Sequence, residues 1–358
     1  MPVPPPALTT PHAGYHWPGG LLLSRARPFF EGWYYRVSLP EVGESFAFMY
    51  AIAEPAGGGA TSGGFAQILA PGDERLYHLF DEVRGFWAEP DRLALGHSEP
   101  ALPQPGLIDP ARFASEVQLG YQATATLNQG VLKDAAWCYR IEPVAGWGRP
   151  GRPEATMGWL SYLPVFEPGW QILMAHGRAT GWIEWRGARY SFEDAPAYGE
   201  KNWGGAFPKK WFWVQANAFE ADPEAALIAG GGRRGFLWRE ESVAMVGLYH
   251  GGRFYRFLPE DGHLRCAVTP WGRWQIEAVS ERYRIEVSGT AARDDGIELL
   301  APTATGAHFV CRDTLKGSVQ VRLSRRWGTR AVLFEGSTRL GGLETGGGPW
   351  EGEWQFRC

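Results

Sequence analysis

The sequence predicts an all-β protein whose antiparallel strands close into barrels or sandwiches. Short runs rich in aromatic and β-branched residues alternate with Gly, Pro and Asp along most of the chain. Several runs have period 2, as in Tyr283-Arg284-Ile285-Glu286-Val287. Helical periodicity is scarce, its best case being a short helix near Ala155–Leu160.

In chain order, residues 1–11 are Pro-rich and are expected to be extended, wrapping the body, or disordered. Trp33–Leu39 and Ser45–Ile52 are aromatic-rich runs separated by Pro40 and Gly43, so they read as paired strands. Phe65–Leu69 follows the Gly-rich stretch Gly57–Gly64. Ala135–Ile141, Trp170–Ala175 and Gly181–Trp185 are short apolar or alternating runs. Trp211–Phe219 packs four aromatic residues and Val214 into one strand. Val243–Tyr249, Phe254–Phe257, Trp274–Ala278, Arg282–Ser288 and Gly317–Leu323 complete the set. An internal echo suggests two units. Phe30–Val37 and Lys210–Gln215 each open a strand, and each precedes a Gly-rich hairpin region, at Gly57–Gly64 and Gly230–Gly235. The reading is two barrels, residues 12–204 and 205–358; the alternative is one long sandwich.

Composition narrows the function. A chain of 358 residues with 44% hydrophobic content can build a full core. The 18 Trp exceed what packing alone demands, and Trp both fills cores and lines ligand pockets. A net charge of -4 without a Lys/Arg-rich block argues against nucleic acid. The cluster Arg322–Arg330 reads as a solvated strand face or turn, with peripheral contact to anionic lipid as the second reading. Cys138, Cys266, Cys311 and Cys358 are far apart and form no CxxC pair, which fits free thiols in a reducing compartment, the cytoplasm. The first residues lack the features of a signal peptide, and no run of about 18 apolar residues exists to span a membrane.

The densest chemistry is in Tyr198-Gly199-Glu200-Lys201-Asn202-Trp203-Gly204-Gly205, beside the Trp-rich run Trp211–Gln215. It places a phenol, a carboxyl, an ammonium and a carboxamide among aromatic residues. Such a setting suits an acid held in an apolar pocket. Burial raises a carboxyl pKa by up to about 3–5 units, so the acid can stay protonated near neutrality. Lys201 would oppose that shift unless strand alternation sends it the other way. His12, His16 and His176 lack metal-ligand spacing, and no HExxH or GxSxG occurs, so neither metal catalysis nor serine hydrolysis is expected. The triplets Gly57–Gly59 and Gly230–Gly232 lack a following Lys-Ser/Thr and read as hairpin loops.

Several segments resemble the tocopherol cyclase family. They are Thr10–His16, Arg27–Leu39 (RPFFEGWYYRVSL), Ser45–Pro55, Met157–Phe219, Cys311–Thr314 and Gly346–Trp350. The similarity thus runs from residue 10 to residue 350. It implies conversion of a prenylated benzoquinol into a chromanol, on a pair of lipocalin-like barrels. Wider relatives include carotenoid 1,2-hydratases, whose Tyr-x-Asp-x-Asn-Trp-Gly pattern matches Tyr198, Glu200, Asn202, Trp203 and Gly204. The hydratase Asp protonates an alkene, so the resemblance nominates Glu200 as the acid. Glu departs from the hydratase pattern and agrees with the cyclases.

The implied reaction exchanges no electrons, so no cofactor or metal is expected. Its partner is a hydrophobic prenylquinol. Each tail methylene buried in an apolar tunnel contributes roughly 0.8 kcal/mol. Aromatic faces stabilise a carbocation without attacking it. Trp203, Trp211, Trp213, Tyr198, Trp33 and Tyr34 are the candidates to surround it. Tyr198 orients the acid or fills the core; Asn202 holds the quinol oxygen or completes a turn. Glu200 is otherwise a structural carboxylate paired with Lys201 or Lys209. Glu31 is a pocket residue or pairs with Arg36 or Arg27. Asp194 is a second acid or a turn cap; Glu54 and Glu167 read as strand ends. His16 or His176 is a candidate acceptor for the phenol proton. Two other classes stay open: a prenylquinone or carotenoid carrier without turnover, and a hydratase or other terpenoid enzyme.

Overall fold

The structure is a computed structural model that describes residues 10–17, 28–162, 168–236, 239–303 and 305–358. Two antiparallel sheets dominate it. The first contains β1 (Phe30–Leu39), β2 (Glu44–Ala53), β3 (Gly63–Ala70), β4 (Glu74–Phe80), β5 (Phe86–Ala88), β6 (Ala94–Glu99), β7 (Leu119–Thr124), β8 (Leu127–Leu132) and β9 (Ala135–Ala145). A small ribbon, β10 (Gly148–Arg149) and β11 (Arg152–Pro153), interrupts it before the long strands β12 (Gly169–Trp185) and β13 (Ala188–Gly204). Its order is β4-β3-β2-β1-β13-β12-β9-β8-β7-β6-β5.

The second sheet starts at β14 (Lys210–Phe219), β15 (Asp222–Phe236), β16 (Arg239–His250) and β17 (Arg253–Phe257). It continues through β18 (Gly262–Val268), β19 (Arg273–Ser280), β20 (Tyr283–Thr290), β21 (Ile297–Thr303), β22 (Gly306–Arg325), β23 (Val332–Gly347) and β24 (Trp354–Arg357). Its order is β17-β16-β15-β14-β23-β22-β20-β19-β18-β24, with β21 attached to β22. The echoed segments occupy equivalent places. β1 lies between the β2–β4 meander and β13, and β14 lies between the β15–β17 meander and β23. Each sheet curls around its own apolar core. The fold is all-β, two lipocalin-like antiparallel barrels packed together.

Strand alternation explains how they pack. On β1, Trp33, Tyr35, Val37 and Leu39 enter the first core. The intervening Tyr34, Arg36 and Ser38 face the other sheet. On β14, Phe212, Val214 and Ala216 enter the second core, while Trp211 and Trp213 join a third cluster between the sheets. Polar pairs lock this seam. Arg36 donates to Gln215 Oε1 at 2.6 Å, to Ser45 Oγ at 3.2 Å and to the Leu340 carbonyl at 2.5 Å. Ser38 Oγ donates to Asn217 Oδ1 at 2.9 Å. These acceptors offset the burial of the guanidinium, whose Nε has no partner among the described residues.

Three local expectations change. The helix expected near Ala155–Leu160 is a 3-10 turn, Gly158–Tyr162. The α-helix among the described residues is α1 (Pro110–Glu116), where Asp109 caps the N–H groups of Ala111 and Arg112 and Pro110 starts the first turn. Its seven residues are too few to show a periodicity. Gly230–Gly232 are not a hairpin loop but lie inside β15. A Cβ on Gly230 would sit 2.7 Å from the Trp170 ring, and one on Gly231 2.5 Å from Phe212. These glycines make room for aromatic rings. Gly57–Gly59 do lie in the connection between β2 and β3.

Candidate active site

β13 divides the motif residues by parity. Glu200 lies opposite Tyr34 of β1, and Tyr198 opposite Arg36. Lys201 lies opposite Trp33, and Trp203 opposite Glu31. Residues opposite each other share a face. Tyr198, Glu200 and Asn202 therefore face the seam, whereas Lys201 and Trp203 face away from it with Glu31.

Glu200 is 7% exposed. Its Oε2 accepts from the Tyr198 hydroxyl at 2.5 Å, from Trp170 Nε1 at 2.8 Å and from Trp213 Nε1 at 3.1 Å. Among the described residues no donor reaches Oε1. Burial raises the carboxyl pKa, the three donors lower it, and Glu344 raises it again, leaving it at about 7. The carboxyl can thus exist protonated near neutrality, with the proton on Oε1. Tyr198 is fully buried, and burial followed by the neighbouring Glu200 carboxylate raises its phenol well above the usual range. It remains a donor.

A cavity opens along the seam, with about 1170 Å³ of empty space including its mouth. Glu200, Asn202, Tyr34, Glu344 and Arg234 supply polar groups, and Trp170, Trp211 and Trp213 aromatic walls. Met49, Phe65, Met157, Phe207, Met245 and Leu299 make much of the rest apolar. The Tyr34 ring stands 5.1 Å from that of Trp213, edge to face.

The opposite face of β13 carries a different network. Lys201 Nζ pairs with Glu31 Oε1 and donates to the Gly14 carbonyl at 2.6 Å. Glu31 also accepts from the His16 backbone N–H at 2.8 Å, and its Oε1 lies 3.2 Å from His16 Nδ1. Burial pushes Glu31 up, but Lys201 and His16 outweigh it and hold it below the usual carboxylate range. His16 stacks on Trp203 at 4.1 Å and contacts His12, which reaches Ser161 Oγ at 2.9 Å. Glu31, Lys201, Trp203 and His16 thus fasten residues 10–17 to the first barrel and do not line the cavity. Trp33 borders the cavity, but its ring belongs to the first core.

Other expectations resolve by position. Lys209 pairs with Glu240, so neither lysine serves Glu200. His176 is buried away from the cavity, 3.6 Å from Glu224. Asp194 is exposed at a positive-φ position, with its N–H bonded to Thr180 Oγ1. It is neither a second acid nor a pocket residue. Glu54 accepts from the Phe29 N–H at 2.9 Å, a strand-end role. Glu167 and Arg27 lie outside the described residues. Arg322 lies opposite Glu335 on a solvated face of the second sheet.

Sequence reasoning passed over Trp170, Glu344 and Asp313. Trp170 stands in a strand the sequence predicts, but its reach to Glu200 depends on the β12–β13 pairing. Glu344 sits among the glycines Gly341–Gly348, where it reads as loop. Asp313 lies in the matched Cys311–Thr314 segment, the one signal available. Among the described residues no group of three His, Cys, Asp or Glu side chains could hold a metal ion. None of the described helices is long and apolar enough to cross a membrane.

Known proteins share both sequence and fold with this chain. It is 37% identical to the probable chloroplastic tocopherol cyclase of Oryza sativa subsp. japonica, covering 98% of this chain and 81% of that protein. It is also 37% identical to the chloroplastic tocopherol cyclase of Zea mays, covering 98% of this chain and 80% of that one. The crystal structure of CghA with Sch210972 superposes with a TM-score of 0.52 at 9% identity, covering 90% of this chain and 88% of that one, a likeness of fold alone. Residues 27–347 match the family described as tocopherol cyclase-like. With that match over most of its length, and relatives of this identity along nearly all of it, the chain belongs to the tocopherol cyclase-like family.

Proposed function

We propose that this enzyme closes a chromanol ring on a prenylated benzoquinol, with Glu200 protonating the prenyl double bond. The observation that carries the reading is the Glu200 carboxyl, buried in an aromatic cavity with three donors on Oε2 and, among the described residues, none on Oε1. The tocopherol cyclase names of the rice and maize relatives support the same substrate class.

The Oε1 proton passes to the less substituted alkene carbon, and positive charge develops at the tertiary carbon. The faces of Tyr34, Trp170 and Trp213 stabilise that charge, at about 2 kcal/mol or more each when desolvated. The phenol oxygen bonds to the tertiary carbon and its O–H proton leaves. The product is an isomer of the substrate. Asn202, whose carboxamide lines the cavity, hydrogen-bonds the quinol. The apolar walls take the prenyl tail and keep out water, which would otherwise capture the cation and yield an alcohol.

The test is anaerobic incubation with a prenylated benzoquinol in mixed micelles and heavy water. Expected is a chromanol with one non-exchangeable deuterium, from the quinol and not the quinone. Glu200→Gln keeps the shape and removes the acidity, so turnover should fall about 10²–10⁴-fold. Wild-type turnover in that variant would exclude Glu200 as the acid. Retention of quinol without product would point to a carrier.

A further inference from the structure

The cavity holds a second carboxyl that the reaction above leaves unused. Glu344 on β23 lies opposite Trp213 of β14 and is half-buried, with Trp211 Nε1 donating to its Oε1. Trp213 donates to Glu200. The two indoles stand two residues apart on one face of β14, about 7 Å along the strand. Each therefore holds one carboxyl at the same cavity wall. Tyr34 gives an independent sign that a ligand belongs between them. Its ring is about nine-tenths buried, it lines the cavity, and its hydroxyl has no hydrogen-bond partner among the described residues. Burial, then Asp313, raises the pKa of that hydroxyl, Arg36 opposes the rise, and Glu200 and Glu344 add to it.

We infer that Glu344 is the base that takes the phenol proton as the chromanol ring closes; this rests on the cyclase reading above. Adding O–H across an alkene requires one proton to arrive at carbon and another to leave oxygen. Two carboxyls at separate points of one wall divide those tasks, as paired carboxyls do on either side of a glycosidic bond. As the C–O bond forms, the quinol O–H bond breaks and its proton passes to Glu344. Glu200, left as carboxylate, regains a proton from solvent, and Glu344 returns one, so the cycle is neutral overall.

The surrounding groups allow this division of charge. Asp313 of β22 lies opposite Glu344, and both its oxygens are buried without partners among the described residues. Burial, then Glu344, raises Asp313 well above the usual range, with Arg36 opposing the rise. Burial raises Glu344 too, while Trp211 and Cys311 lower it. Arg36 of β1 contributes positive charge to Asp313. Arg234 of β15 lines the cavity and pairs with Glu241 at 2.8 Å.

The experiment compares pH profiles of chromanol formation by the wild type, Glu344→Gln and Trp211→Phe. Wild-type kcat/KM should fall both above about 7, as Glu200 ionises, and on the acid side, as Glu344 takes a proton. Glu344→Gln should lose about 10²-fold or more in kcat with KM little changed, and lose the acid limb alone. A ring-fluorinated quinol, whose phenol ionises more readily, should restore part of that loss but not the loss in Glu200→Gln. Trp211→Phe deletes the donor to Glu344, so its acid limb should move to higher pH; this holds as a test even if Glu344→Gln does not fold. An unchanged acid limb in Glu344→Gln or Trp211→Phe, or no rescue by the fluorinated quinol, would overturn the assignment of Glu344 alone. Absence of chromanol from the wild type would overturn the cyclase reading and this inference together.

Discussion

At the scale of single residues, Glu200 owes its character to which of its oxygens is satisfied. Three donors converge on Oε2, and donors to a carboxylate stabilise its ionised form. Burial works against them and wins, with the carboxyl at about 7. The balance can be tilted. Trp170→Phe removes one donor that lowers the Glu200 pKa. The pKa should then rise, and the high-pH limb of turnover should move to higher pH, read from the kcat/KM profile. An unmoved limb would mean that Trp170 serves only as a wall. Lys201 shows the converse. It adjoins Glu200 in sequence, yet it neutralises Glu31 across the strand.

At the scale of elements, β15 is shaped by what crosses it. Gly230 and Gly231 lie in the middle of a long strand because Trp170 from β12 and Phe212 from β14 occupy the space a side chain would need. The Trp170 ring is rigid and bonded to Glu200, so it cannot retreat without losing that bond. Gly230→Ala should therefore displace Trp170. The expected result is at least about a tenfold loss in kcat/KM, equivalent to about 1.4 kcal/mol, with the β-sheet circular dichroism signal retained. Wild-type turnover in Gly230→Ala would show that the Trp170–Glu200 bond is dispensable.

At the scale of the whole molecule, the seam concentrates carboxyls whose ionisation opposes folding. Glu200, Glu344 and Asp313 all have raised pKa values, each chiefly from burial. The folded protein therefore binds more protons than the unfolded chain between the ordinary carboxylate range and the folded values. Stability is full below that window and is lost as pH rises through it. For Glu200 alone, a rise from 4.5 to about 7 corresponds to about 3 kcal/mol at the upper end. Urea midpoints measured across pH 4 to 8 should decline, and Glu200→Gln should remove part of that slope. A slope identical in the variant would place the Glu200 proton affinity near its unfolded value.

The sequence by itself determined the strand-rich class, the echo between Phe30–Val37 and Lys210–Gln215, and the prominence of Tyr198–Gly205. Those are properties of composition and short-range periodicity, which local sterics and burial enforce. Alternation also separated Glu200 from Lys201, because successive residues on a strand face opposite ways. Only the tertiary structure decided which face of β13 met the cavity. That depended on β1 and β14 packing back to back through Tyr34, Arg36, Trp213 and Gln215, residues 179 apart in the Arg36–Gln215 pair. The same long-range pairing brought Trp170, Glu344 and Asp313 to the seam and sent Glu31, Lys201 and Trp203 away from it. A period-2 pattern states that a strand has two faces; only its neighbours determine what each face meets.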